Sequence, residues 1–328
     1  MTPLFGHDDA VATFRDAITS NRLHHAWLIS GPEGIGKALF AQKAALRLLA
    51  DAAGPPVEAD GLDVSDDHPI AHLLKAGSHT DFIRLVRLPR DEDSPELRRN
   101  ITVDQVRQLQ PLLGTTPFLS PWRAIIIDSV DDLEPSAANA LLKNLEEPPP
   151  RTLFLLVSHA SQRLLPTVRS RCRLLRLAPL DRDAMASAIA AALPDADANE
   201  IKELAALGEG SPGRALGLRG LEIEALDRQL EEILKSGDRN NARRSALAQN
   251  FTSKASQPRF EAFLDRVPSL IARAAKERRG PALAEALGLW KRAHDLAGSA
   301  VRLSLDQQSV VFELAGMLAA LAPRQANG

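Results

Sequence analysis

One stretch limits the folds open to this chain more than any other. Ala26-Trp27-Leu28-Ile29 is followed by Gly31-Pro32-Glu33-Gly34-Ile35-Gly36-Lys37-Ala38 and then by a run rich in Ala, Leu and Lys. Apolar strand, glycine loop, helix is the context of a phosphate-binding loop, carried on a sheet. The spacing is G-x-x-x-x-G-K-[ST], with Ala38 in the last place. In such a loop, successive backbone N–H groups at the helix N-terminus attract an anion. Gly31, Gly34, Gly36 and Lys37 are therefore expected to form a nucleotide cradle, with Lys37 near the β- and γ-phosphates. The hydroxyl that normally ligates Mg²⁺ is missing. Weakened nucleotide binding is expected; a tight glycine turn without a ligand is the plainer alternative.

The rest of the first half supplies the sheet. Phe82–Val86, Ala124–Asp128, Leu153–Val157 and Arg173–Leu177 read as strands. Near-continuous apolar strands alternating with helices imply a parallel sheet covered on both faces. Helices are expected over 7–20, over 136–145 until Pro148-Pro149-Pro150 stops it, and from Thr102 through Val103, Val106, Leu109 and Leu113. Thr102 and Gln105 have the spacing of a capping box. Residues 51–78, with Gly54-Pro55-Pro56 and five Asp, read as an insertion or long loop, and 89–100 as another loop.

After Pro179 the strand pattern ends. Residues 181–218 read as small helices. The remainder reads as longer ones, for instance 251–275 and 301–321, with Val301, Leu305, Val310 and Leu314 on one face. The expected division is 1–178, 179–220 and 221–328.

Lys and Arg number 40 against 42 Asp and Glu. That balance excludes a global basic field, so any nucleic-acid contact must be local. The single cysteine, Cys172, excludes an internal disulfide and a cysteine-cluster zinc site. Asp8 and Asp9 near the start, and the absence of a long apolar run, argue against a signal peptide and a membrane span.

Asp128 ends a buried strand, the place where α/β proteins bind ligands. It is a candidate metal or nucleotide acid; capping a helix is the alternative. Ser129 follows it, where a hydrolytic site needs a carboxylate to activate water. Asp131 and Asp132 are expected to cap or precede the next helix. Ser158 ends the strand at 153–157 and has the place of a γ-phosphate sensor or of a plain strand-end hydroxyl. The eight histidines show no ligand spacing.

Asn139-Ala140-Leu141-Leu142-Lys143-Asn144-Leu145-Glu146-Glu147-Pro148-Pro149 and Arg169-Ser170-Arg171-Cys172 make the pattern specific. Arg22-Leu23-His24-His25-Ala26 and Gly210-Ser211-Pro212-Gly213-Arg214-Ala215-Leu216 add to it. The chain resembles the AAA+ subunits of the bacterial DNA polymerase III clamp loader, and among them the δ′ class, over residues 4–220. The resemblance implies an α/β AAA+ P-loop domain, a small helical lid and an all-helical collar that joins a five-subunit ring with γ/τ and δ subunits. It implies a non-hydrolysing, cytoplasmic subunit that helps load the sliding clamp on primer-template DNA. Arg171 then matches the arginine finger acting in trans on a neighbour's ATP, Asp128 the Walker B acid, Ser158 sensor 1 and Arg214 sensor 2. Arg169, Arg173 and Arg176 read as a solvated basic face.

Two departures bear on that reading. Family members usually carry four cysteines as a zinc module where residues 51–79 have none, so no zinc is expected. The γ/τ subunits also resemble this chain, but they normally keep Thr or Ser after the loop lysine and Glu after the Walker B Asp. An autonomous γ/τ-type ATPase and a degenerate AAA+ protein without a replication role are the alternatives. No cofactor is required on the favoured reading, and ATP or ADP binding is at most weak.

Overall fold

In the computed structural model, which describes residues 2–91, 96–253, 256–301 and 303–323, the strands are β1 (Ala26–Ser30), β2 (Phe82–Val86), β3 (Arg123–Asp128), β4 (Thr152–Ser158) and β5 (Arg173–Arg176). β1 and β4 are buried at every position and β3 at all but Asp128. Unbroken apolar runs of this kind suit parallel strands covered on both faces. All pairings among the five are parallel, in the order β2-β3-β4-β1-β5. Arg84 on β2 and Arg173 and Arg176 on β5 are tolerated because those strands lie at the edges. The register sets Ser30 beside Ser158, and Asp128 beside Val157. The candidate site therefore lies along one end of the sheet.

One compact unit ends at Leu216 and a second begins at Gly217. In the first, α1 (Asp8–Thr19) and α2 (Lys37–Ala52) cover one face, where Phe14 meets Trp27 and Phe40 edge-on at 5.1 and 6.1 Å. Met185 and Ile189 of α8 (Arg182–Ala192) and Leu204 of α9 (Ala198–Gly208) join that core. Ala215 of α10 (Pro212–Gly217) does too. The other face is closed by Val106, Leu141, Leu145 and Val168.

Several expected elements differ. The helix at 103–113 is two: α4 (Val103–Arg107), with its Thr102–Gln105 capping box, and α5 (Leu109–Leu113). Pro111 lacks the N–H that would bond to Arg107, so the ladder cannot run through. The segment read as an insertion or long loop at 51–78 is not all loop: it contains the end of α2 and α3 (Pro69–Lys75), started by His68 as N-cap and Pro69.

Arg47, 3% exposed, ties that segment down. Its guanidinium bonds Asp51 at 2.8 Å and reaches the carbonyls of Ala59 and of Gly61, the latter at 2.6 Å. Arg15 adds Asp51 at 2.6 Å, and Lys43 pairs with Asp63. The loop at 89–100 has one antiparallel bridge, Pro89 to Leu97, and its residues 92–95 lie outside the described ones.

The second unit contains α11 (Ile223–Ser236), α12 (Ala242–Gln249), α13 (Gln257–Lys276), α14 (Gly280–Ala300) and α15 (Gln307–Ala319). α15 is apolar on most sides and buries Val310, Val311, Leu314, Ala315, Met317 and Leu318. The helix expected over 301–321 is shorter, because Asp306 caps it at Ser309. Val301 and Leu305 therefore do not share a helical face with Val310 and Leu314; they are 47% and 36% exposed. The helix expected over 251–275 begins at Gln257, and residues 254–255 lie outside the described ones. Between β2 and β5, α6 (Pro135–Glu146) and α7 (Pro166–Arg169) complete the first unit.

Candidate functional site

The glycine loop joins β1 to α2. Gly34 and Gly36 have φ of +75° and +102°, a region where a side chain is strained. At Gly34 a Cβ would also collide with Ser211 Oγ. Ser211 Oγ donates to the Glu33 carbonyl at 2.8 Å, and the Gly213 N–H donates to the Gly34 carbonyl at 2.9 Å. The start of α10 is thus bonded directly to the loop. His7 adds a third support: its Nε2–H donates to the Ile35 carbonyl at 2.7 Å. Burial lowers the His7 pKa, which favours the neutral ring.

Lys37 is 3% exposed, and its Nζ donates to the Pro32 carbonyl. Burial pushes its ammonium down to about 8, opposed by Glu33, Asp131 and Asp128. The lysine therefore lies at the sheet end among acids, turned back on its own loop. Ala38, the next residue, offers no oxygen.

Asp128 bonds Arg84 Nη2 at 2.7 Å. Ser129, 3% exposed, is engaged too: its Oγ donates to Asp131 at 2.8 Å and accepts the Asp131 N–H at 3.1 Å. Ser158 is fully buried and donates to Asp131 at 2.9 Å, and the His159 N–H reaches the same carboxylate at 2.6 Å. The sensor-position hydroxyl is thus spent on a protein acid.

Asp131 precedes α6, one of the two places expected for it, but its bonds across the sheet are what sequence reading missed. It does not cap the following helix. It sits in a short turn, Val130–Asp132, and joins the ends of β3 and β4. Its spacing from Ser129 was visible; the partner across the sheet was not.

Arg214, on the α10 segment that meets the loop, pairs at 2.9 Å with Glu209, the C-cap residue of α9. Arg171 is elsewhere, in the turn between α7 and β5. Its Nη2 lies 2.7 Å from Glu146 Oε1 and its Nη1 donates to the Thr167 carbonyl at 2.9 Å. The side chain is 33% exposed. Beside it, burial pushes the Cys172 thiol up to about 12, which disfavours the reactive thiolate. Arg173, expected on a solvated face, is exposed and also lies over the Trp27 ring, 4.7 Å from its centroid. The structure thus gathers Lys37, Asp128 and Ser158 at one sheet end, with Gly34 bonded to the Arg214 segment. Arg171 stands apart, on its own turn.

Among the described residues, no three His, Cys, Asp or Glu side chains gather as metal ligands, and no helix is long and apolar enough to cross a membrane.

Residues 6–181 match the family described as DNA polymerase III, delta subunit. The chain is 36% identical over 245 residues to the DNA polymerase III subunit delta′ of Pseudomonas aeruginosa, covering 74% of this chain and 70% of that one. It is 31% identical over 235 residues to the tau/gamma subunit of Haemophilus influenzae, covering 69% of this chain and 31% of that one. Among solved structures, a gamma subunit-related protein from Thermotoga maritima aligns over 95% of this chain and 99% of its own, at 17% identity and a TM-score of 0.44.

Proposed function

This chain belongs to the DNA polymerase III delta-subunit family, AAA+ proteins of the clamp-loader type, and from that premise we propose that it is a non-hydrolysing δ′-type subunit that activates a neighbour. It lends Arg171 to the ATP held by an adjoining γ/τ subunit. It does so in the cytoplasm, in a five-subunit ring with γ/τ and δ that loads the sliding clamp on primer-template DNA. The observation that carries this reading is the state of the chain's own phosphate end. Residue 38 has no hydroxyl, residue 129 is a serine bonded to Asp131, and Lys37 is bonded to its own loop. Phosphoryl transfer needs a metal ligand and a group that positions the nucleophile. Both are absent from those positions.

Gly31, Gly34, Gly36, Lys37, Asp128, Ser158 and Arg214 are then a degenerate site that binds ATP or ADP weakly at most. No zinc is needed at 51–79, because Arg47, Arg15 and Lys43 hold that segment. The division at 178 and 220 into P-loop domain, lid and collar is kept as a functional one. Leu287 and Trp290 on α14, 50% and 37% exposed, support assembly through the collar.

Arg171→Ala tests the reading. In the reconstituted assembly it is expected to leave melting temperature and subunit yield unchanged and to lower DNA- and clamp-stimulated hydrolysis at the adjoining site, by about 10³-fold if the finger acts as in other NTPases. Arg169→Ala serves as the neighbouring control and is expected to do little. Unchanged hydrolysis in an assembled Arg171→Ala complex would end the finger reading. A γ/τ-type ATPase is the second reading, favoured by the similarity to the tau/gamma subunit. Turnover by the isolated chain separates the two.

A further inference from the structure

The finger reading leaves one contact without a role. The Arg171 guanidinium is held by Glu146, the last residue of α6, at 2.7 Å. A carboxylate at a helix C-terminus faces the negative end of the helix dipole, where it is disfavoured. Here Glu146 and the C-cap residue Glu147 stand together at that end, with Lys143 the basic residue of the last turn. Arg171 reaches this pole from a separate element, and α7 sets its approach through Thr167.

The pair is neither buried nor free: the two side chains are 33% and 49% exposed. A buried pair would be costly to break. One in contact with water is weak and exchanges readily. The backbone on both sides is fixed, since Val168 is 2% exposed and Cys172 is half-buried. Only the side chain has to move. A guanidinium stays charged, so its release is an exchange of one anionic acceptor for another, and phosphate oxygens offer it more charge and a matching fork.

Resting on the finger reading, we propose that Glu146 is a positioning residue that holds Arg171 in store on the end of α6 until a neighbour's nucleotide phosphate takes the cation over. Holding lowers the fraction of fingers ready to engage, and the apparent affinity of the adjoining site for ATP falls by that fraction.

The test uses the full assembly, with only the adjoining γ/τ subunit competent to bind ATP, and titrates ATP. Glu146→Gln keeps the shape and removes the charge. It is expected to lower KM for ATP by up to about fivefold, the range of an exposed ion pair, with kcat unchanged. Glu146→Asp keeps the charge and is expected to stay near the parent. In an Arg171→Ala background, Glu146→Gln is expected to change nothing further. Loss of hydrolysis in Arg171→Ala with an unchanged or raised KM in Glu146→Gln overturns the holding role and leaves the finger. Normal hydrolysis in Arg171→Ala removes the finger, and this proposal with it.

Discussion

Lys37 and Arg171 are two of the cations that the sequence motifs single out, and the fold treats them oppositely. Lys37 is 3% exposed, pushed down to about 8, and bonded to a carbonyl of its own loop. The hydroxyls of Ser129 and Ser158 are bonded to Asp131, and the carboxylate of Asp128 to Arg84. Arg171 is a third exposed and held by a solvent-screened pair with Glu146 and by a bond to the Thr167 carbonyl. A nucleotide arriving at Lys37 has to displace a set of internal bonds. One arriving at Arg171 has to displace a carboxylate in contact with water and one backbone carbonyl. The difference is between groups bonded together inside the sheet end and a cation whose acidic partner is half exposed to water.

The comparison can be broken most strongly at Asp131. Asp131→Ala would leave the fully buried Ser158 hydroxyl and the Ser129 hydroxyl without their acceptor. Unsatisfied buried groups cost about 1–3 kcal/mol each. A loss of roughly 2–3 kcal/mol is expected, a fall in melting temperature of about 5–10 °C for a unit of this size, with no ATP turnover gained. A variant as stable as the parent would show that the lock at the sheet end is not real.

Acid should lower the stability of the first unit by a smaller amount. His7, His25 and His79 all lie below the usual 6.5, chiefly because burial disfavours the charged ring. The unfolded chain takes up those protons near 6.5 while the folded chain resists. Stability is therefore full above that pH and falls as pH drops through it. Asp132 works in the opposite sense at lower pH, as a carboxyl raised from 3.8. Melting temperature from pH 8 to 5.5 reads the effect, and His7→Gln, which keeps a donor for Ile35, should flatten part of the slope. An unchanged slope in that variant would remove His7 from the account.

The smallest effect is expected from repairing the loop. Ala38→Thr restores the hydroxyl, but residue 129 remains a serine. ATP turnover by the isolated chain should stay at background before and after the change. Turnover that appears in the parent and is abolished by Lys37→Ala would instead favour the γ/τ-type reading.

Much of the first unit could be read in advance because its signals are local. The five strands, the glycine loop, the Thr102–Gln105 box and the proline stops depend on neighbours a few residues away. Errors arose where a local signal met a competitor. Pro111 split one expected helix, Asp306 shortened another, and α3 emerged inside a segment that Gly54-Pro55-Pro56 marked as an insertion or long loop.

The sequence by itself determined the parallel α/β architecture, the helical remainder and the residue types present at the phosphate loop and at 170–172. Those follow from hydrophobic period, turn residues and spacing, which a chain carries in its order. Only the tertiary structure decided what each polar group bonds to. Asp131 meets Ser158 across 27 positions, Arg47 reaches the carbonyl of Gly61 across 14, and Ser211 reaches Glu33 across 178. Such partners are chosen by the packing of the sheet and helices, because a buried polar group must be satisfied by whatever the fold brings beside it.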